Sequence, residues 1–234
     1  MYKIGYNDLK ILLLAEKHLL QGHKAWVDQG TLLGLVRDGH FLEWDNDIDI
    51  TCMYDQRPKI RLANIRELFE NGYMVVTSKY DYTLKKLHGD KSFKKVDLTF
   101  IYKKNGRYYK SYSDYKNQNF LAKVFEKTIK ELTGLLKKVD NINLKVFMWM
   151  IINPIVYIYR SYFMKTVDMD CPQWQLDLMK KNLLPAFQTL LIYEQPEPYL
   201  EFKFGSDWRI PKKDWDYASQ DGAIQKEKME KENV

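Results

Sequence analysis

Asp47-Ile48-Asp49-Ile50, preceded by Gly30-Thr31-Leu32-Leu33-Gly34-Leu35-Val36-Arg37, is the stretch from which the rest of the chain is read. Acid and apolar residues alternate in the first of these segments with the period of a β-strand. Strand side chains point alternately to the two faces, so Asp47 and Asp49 share one face, about 7 Å apart, while Ile48 and Ile50 point into a core. Two like charges on one sheet face repel, and a fold gains nothing from placing them there. A divalent cation removes the repulsion, and Mg²⁺ or Mn²⁺ take hard oxygen ligands. Upstream, Gly30-Thr31 opens a short helix whose first N–H groups suit a phosphate. A metal-binding strand close to a phosphate-binding turn makes a phosphoryl-transfer site.

Such a site needs a third acid from a neighbouring strand. Val96-Asp97-Leu98 supplies one, because Asp97 interrupts a run that otherwise reads as a sheet interior. A lone buried acid is costly unless paired or bound to a metal. The plainer reading is a strand-edge Asp facing water.

Outward from this centre, the chain alternates helix and strand. An amphipathic helix with Asn7 as N-cap is expected near the start. A short strand at 25–28, the Gly30–Val36 helix and the Asp47–Thr51 strand follow. Pro58 opens a helix that ends at Asn71-Gly72. Strand-like runs come at 73–79, 82–87 and 93–102, and Asn105-Gly106 marks a hairpin turn. This is an α+β (α/β) pattern with a mixed sheet and flanking helices. From 117 the periodicity turns helical, with further helices after Pro172 and at 186–193. The expected organisation is a catalytic core at 1–116, a helical region at 117–221, and a disordered Lys/Glu-rich tail at 222–234.

The apolar run 146–159 contains Asn153-Pro154 and is shorter than the roughly 20 residues of a bilayer crossing. Asn153-Pro154 is expected to break the run, which then reads as a buried helix hairpin. An interfacial membrane contact is the next reading, since Trp149, Tyr157 and Tyr159 suit that depth.

Composition narrows the partners. The 234 residues carry 37 basic and 31 acidic side chains, a net charge of +6. That balance suits an anionic ligand but lacks the dense basic stripe of a nucleic-acid binder. Cys52 and Cys171 form no CxxC pair and no zinc spacing with the histidines, which points to a reducing compartment. The first 21 residues do not have the pattern of a signal peptide. The expected location is the cytoplasm, extending to the inner membrane surface.

A longer segment is more specific. Trp26-Val27-Asp28-Gln29-Gly30-Thr31-Leu32-Leu33-Gly34-Leu35-Val36-Arg37-Asp38-Gly39, then Phe41 and Trp44-Asp45-Asn46-Asp47-Ile48-Asp49, closely resembles the "GTLLGAVRxGxxxxWDxDxD" signature of the LicD family, which includes fukutin and fukutin-related protein. Near the other end, Tyr199-Leu200-Glu201-Phe202-Lys203-Phe204-Gly205-Ser206-Asp207-Trp208-Arg209-Ile210-Pro211 resembles the family's second mark, "YLxxxYGxDWxxP", with Phe204 where Tyr is common. The resemblance implies a nucleotidyltransferase-like fold. It also implies transfer of a phosphorylated group, phosphocholine or a polyol phosphate, from a CDP-linked donor to a sugar hydroxyl of a glycan or glycolipid acceptor, with release of CMP. By the same resemblance Asp47, Asp49 and Asp97 are the catalytic and metal-holding acids, with Asp45 as an outer or alternative ligand. Gly30, Thr31, Gly34 and Arg37 face the donor phosphates.

Each assignment has a plainer counterpart. Gly30 and Gly34 would serve close helix packing, Arg37 would pair with Asp38 or Asp45, and Trp44 and Trp208 would be core aromatics. A nucleotidyltransferase that moves NMP from an NTP and releases pyrophosphate is the alternative activity, since fold does not fix the reaction. A glycosyltransferase with an Asp-x-Asp motif is disfavoured, because only 46 residues precede Asp47. A scaffold without activity is disfavoured by the intact set of three acids.

Overall fold

The computed structural model describes residues 2–89, 93–114, 120–212, 215 and 220–224. Among them nine strands form one sheet. Helix α1 (Tyr6–Leu14) continues as a π-helical turn to Leu20 and leads into β1 (Ala25–Val27), α2 (Gln29–Arg37) and β2 (Asp47–Met53). Then come α3 (Leu62–Glu70), β3 (Tyr73–Thr77), β4 (Asp81–Lys86), β5 (Lys95–Lys104) and β6 (Arg107–Asp114). The second half holds α4 (Phe120–Lys138), α5 (Ile142–Ile158, continued by a π-helical turn to Phe163), β7 (Lys165–Asp170), α6 (Gln173–Asp177), β8 (Lys180–Asn182), β9 (Leu190–Tyr193) and α7 (Glu197–Phe204).

The strand order is β3-β4-β5-β2-β1-β9-β8, with β6 pairing both β5 and β7. Pairs β2–β5 and β1–β9 are parallel and the others antiparallel. The α+β mixed sheet read from the sequence is the observed fold.

Alternation builds the core as expected. Ile48, Ile50 and Cys52 on β2, with Val96, Leu98 and Phe100 on β5, are all fully buried on one face. Asp47, Asp49, Lys95 and Asp97 project from the other. The β5–β6 hairpin turns at Asn105 and Gly106, both with positive φ (50° and 79°), the backbone that suits the right-handed twist of a two-residue hairpin.

Several boundaries differ from the reading of the sequence. The first helix is preceded by Gly5 rather than capped by Asn7. The Pro58 helix starts at Leu62. The intervening chain is extended, and Arg57 is tied to the Tyr82 hydroxyl and the Ser78 carbonyl. The helix expected at 186–193 is instead strand β9, because Leu190-Leu191-Ile192-Tyr193 is a continuous apolar run that periodicity cannot assign. Buried beside β1, it takes its hydrogen bonds from the sheet. The region after 117 is therefore helical only in part, since β7, β8 and β9 return to the same sheet.

Asn153-Pro154 does not break α5. The helix runs through Pro154, while the Asn153 side chain receives the Thr77 N–H at 3.0 Å. Ala223 and Ile224, at the start of the tail expected to be disordered, are buried, and the Ala223 carbonyl accepts from Asp170 N–H at 2.8 Å. The rest of that tail, 225–234, lies outside the described residues.

Candidate active site

Parallel pairing sets the centre of the site. The β2–β5 register puts Asp47 beside Lys95 and Asp49 beside Asp97. Adjacent strands lie about 4.8 Å apart, so the three acids share one small patch of one sheet face. On the far side of β5, Thr83 of β4 donates to Asp97 Oδ1 at 2.6 Å. The patch floors a cavity of about 500 Å³.

Lys95 was not singled out in the sequence, yet it stands among the acids. Its ammonium lies 3.1 Å from Asp47 Oδ2 and also contacts Asp97 Oδ2. Burial works against its charge, but Asp97 and then Asp47 outweigh that and push its pKa up. Asp49 is pushed well above the usual carboxylate range, first by burial and then by the charges of Asp47, Asp97 and Asp45. Asp45 is pushed up to about 7 by burial and by the hydrogen bond and charge it shares with Asp47. Asp47 moves the other way. Burial raises it, but the bond from Asp45 and the charge of Lys95 bring it below its ordinary value.

The donor chemistry fits a hard divalent cation: oxygen ligands, excess negative charge, and two acids that resist ionisation without a counter-charge. The geometry is not preformed. Among the described residues no group of three or more His, Cys, Asp or Glu side chains is set to hold a metal ion. The Lys95 ammonium bridges Asp47 and Asp97.

Helix α2 divides the residues expected to face phosphate. Gly30 lines the cavity, and a Cβ there would sit 2.6 Å from Asp45 Oδ2, so the missing side chain makes room for that carboxylate. Thr31 does not line it. It is buried, and its hydroxyl accepts the Asp49 N–H at 2.8 Å, pinning β2 to the helix. Gly34 does not line it either. A Cβ at Gly34 would meet the backbone of His40 and Leu42 at 2.8 and 2.9 Å, so this glycine serves packing. Arg37 lines the cavity, but its fork is held by Asp38 through two bonds of 2.8 Å. The N-terminal N–H of α2, on Gln29, is taken by the Asp28 side chain at 2.8 Å, which uses part of the anion-binding capacity of that helix start.

Asp28 belongs to a buried network. It is fully inaccessible and also receives the Thr51 hydroxyl at 2.7 Å, the Lys110 ammonium at 2.5 Å and the Tyr199 hydroxyl. Burial raises its pKa, but Lys110, then Lys203, and the bonds from Lys110 and Tyr199 outweigh burial and hold it far below the usual range.

The remaining cavity wall comes from distant parts of the chain. Arg160, at the end of the α5 helix, donates to Asp81 Oδ2 at 2.8 Å and Thr83 Oγ1 at 3.1 Å, while its Nε has no partner among the described residues. Lys203, Phe204 and Trp208 contribute from the C-terminal motif, Lys212 from just after it, and Trp44 from the loop before β2. Of the two tryptophans read as core aromatics, Trp208 is a buried core residue that also lines the cavity, whereas Trp44 is exposed on its wall. A pattern would have flagged Lys95, which shares a strand face with Asp97, and Arg160, a charge within an apolar helix. Nothing local marks Lys203 or Lys110 as interior cations.

Acids on adjacent parallel strands, a close-packed glycine on the preceding helix, and cations around the cavity are an arrangement that suits a nucleotidyltransferase-type domain. Residues 22–136, just under half of the chain, match the family described as LicD/FKTN/FKRP, nucleotidyltransferase domain. No curated protein matches the chain. The family implies a transferase of phosphate-containing groups that acts on glycans with nucleotide-linked donors. The match contains β1 and α2 together with β2 and β5, the strands that carry Asp47, Asp49 and Asp97.

Proposed function

We propose that the protein transfers phosphocholine or a polyol phosphate from a CDP-linked donor to a sugar hydroxyl of a glycan or glycolipid, and that CMP leaves. The observation that carries this reading is the β2–β5 register, which sets Asp49 against Asp97 and beside Asp47 on the floor of one cavity. Its volume of about 500 Å³ suits a nucleotide-sized ligand.

Asp47 and Asp49 would hold Mg²⁺ or Mn²⁺, with Asp97 joining once Lys95 lets go of it. Asp45 would serve as an outer ligand. The metal, when bound, neutralises charge on the donor diphosphate. The chain's own work is positioning and charge compensation, which is most of what phosphoryl transfer asks of a protein. Arg37, Arg160, Lys203 and Lys212 stand on the wall as counter-charges for phosphate oxygens. The buried Arg160 Nε–H has no partner among the described residues. Trp44 and Trp208 offer flat apolar surface to the base or the transferred group. The acceptor hydroxyl oxygen attacks the phosphorus of the transferred group, the bond to the CMP oxygen breaks, and the hydroxyl proton passes to a carboxylate, a role open to Asp97 where it does not hold the metal.

The test is incubation with a panel of CDP-linked donors and Mg²⁺ or Mn²⁺. The reading expects slow CMP release, accelerated by a saccharide acceptor. Pyrophosphate release from NTPs, with no CMP from any CDP-linked compound, would replace it with ordinary nucleotidyl transfer.

A further inference from the structure

Helix α5 is apolar on two opposite sides, and the described residues cover only one of them. Inward, Trp149 Nε1 donates to the Val75 carbonyl at 2.7 Å, and Ile152, Val156 and Tyr159 are buried. Outward, Leu144, Phe147, Ile151 and Ile158 recur at three-, four- and seven-residue steps and are exposed, with Met150 and Tyr162 beside them. Phe147 is 58% exposed and Ile151 49%. A helix apolar all round ordinarily sits in a protein core or in lipid. A row of large apolar side chains open to water marks a contact surface.

Charge on the neighbouring helix says which partner fits. Helix α4 packs against α5 and its π-helical continuation, with Phe125 stacked on Phe163 at 4.8 Å. It carries five lysines and two glutamates. Lys123, Lys127, Lys130 and Lys137 recur at helical spacing and are exposed. They flank a second row of exposed apolar residues, Leu121, Val124 and Leu135. A symmetric second copy would bring lysine row against lysine row, whereas lipid phosphates complement it.

We propose that the outward face of the α4–α5 hairpin docks on an anionic lipid bilayer, with α5 lying in the plane of the interface. The stretch Ile142–Phe163 is long and apolar enough to cross a membrane. It does not cross here, because its inner side is bonded to β3 through Trp149 and Asn153. Immersion of one face to the depth of the headgroup–acyl boundary uses the exposed row and leaves those bonds intact. The same helix ends at Arg160 on the wall of the cavity, so docking would bring that cavity close to lipid-linked acceptors. The docking surface itself does not rest on the proposed reaction.

The test is co-sedimentation of the full chain with vesicles of phosphatidylcholine, alone or mixed equally with phosphatidylglycerol. The protein should pellet with the mixed vesicles and far less with phosphatidylcholine alone. The double substitution Phe147→Ser with Ile151→Ser should weaken partitioning by roughly a hundredfold. Lys123→Gln, Lys127→Gln and Lys130→Gln should each cost about fivefold. Circular dichroism checks that each variant is folded, and if the serine variant is not, the lysine variants decide alone. Folded wild type that pellets with neither vesicle overturns the proposal, as does partitioning untouched by these substitutions. A concentration-dependent dimer that Phe147→Ser and Ile151→Ser abolish, without vesicle binding, assigns the face to a second copy instead.

Discussion

The Tyr199 hydroxyl donates a hydrogen bond to Asp28 Oδ1 across 171 residues of sequence. Tyr199 opens the C-terminal motif and Asp28 precedes the glycine-threonine helix, so this bond joins the two marked segments of the chain. Asp28 also caps α2 and receives Lys110, which ties helix, sheet and C-terminal segment to one buried carboxylate. Tyr199→Phe removes one donor from it. The expected loss is about 1–3 kcal/mol of stability, read as a fall in Tm of about 2–4 °C per kcal/mol. An unchanged Tm would mean that the remaining donors satisfy Asp28 fully.

Asp49→Asn keeps the shape of the side chain and its contact with Gln29 Nε2 at 3.3 Å but removes a carboxylate crowded by four others. Transfer should fall by at least about a thousandfold, a loss expected when metal-borne charge stabilisation is removed. Stability without metal should stay level or rise, since a repulsion is relieved. CMP release and thermal melting measure the two effects, and a variant that melts markedly lower would make Asp49 a structural acid.

Lys95 holds Asp47 and Asp97, the carboxylates that a divalent ion would take in the proposed reaction. Lys95→Met should lower Tm in chelator and make it strongly dependent on Mn²⁺, because the metal then replaces the missing charge. Metal titration followed by melting checks this. Equal responses of wild type and variant would remove Lys95 from the metal site.

Asp45 gives the metal-free protein a pH dependence. Its folded-state pKa of about 7 lies above the ordinary carboxylate value, so between about pH 4 and 7 the folded state holds a proton that the unfolded chain has lost. That contribution is complete below the unfolded value and disappears as pH rises through 7. Asp28 has the opposite sign. Its lowered pKa stabilises the fold above the unfolded value, and this is lost only in strong acid. Melting in chelator from pH 5 to 8 should therefore show stability declining, and Asp45→Asn should flatten the decline.

Gly30→Ala places a methyl group where Asp45 Oδ2 now sits. The carboxylate can swing away, so the protein should fold with little loss of stability while metal and donor binding weaken. Calorimetry with Mn²⁺ and CDP would detect this, and wild-type binding would show that the Asp45 position does not matter.

Much of this site is legible in one dimension because alternation has a fixed period. Once Asp47-Ile48-Asp49 and Val96-Asp97-Leu98 are strands with buried apolar partners, each acid is committed to the other face. Signals that depend on close approach are not legible in that way. Thr31 and Gly34 look like phosphate-binding residues by position, and the structure turns one toward the backbone of Asp49 and the other against residues 40–42. The run at 190–193 fits strand or helix equally until β1 provides an edge to pair with.

What the sequence by itself determined is local: the faces on which residues fall, the turn at Asn105-Gly106, and two motifs whose residue types belong together. Tertiary structure alone decided that Lys95 lies between two carboxylates, that Arg160 and Lys203 reach the same cavity from helices far along the chain, and that α5 leaves one apolar side bare. The physical reason is range. Backbone periodicity acts over a few residues and leaves its mark in their order, whereas charge compensation and burial depend on which segments meet in space.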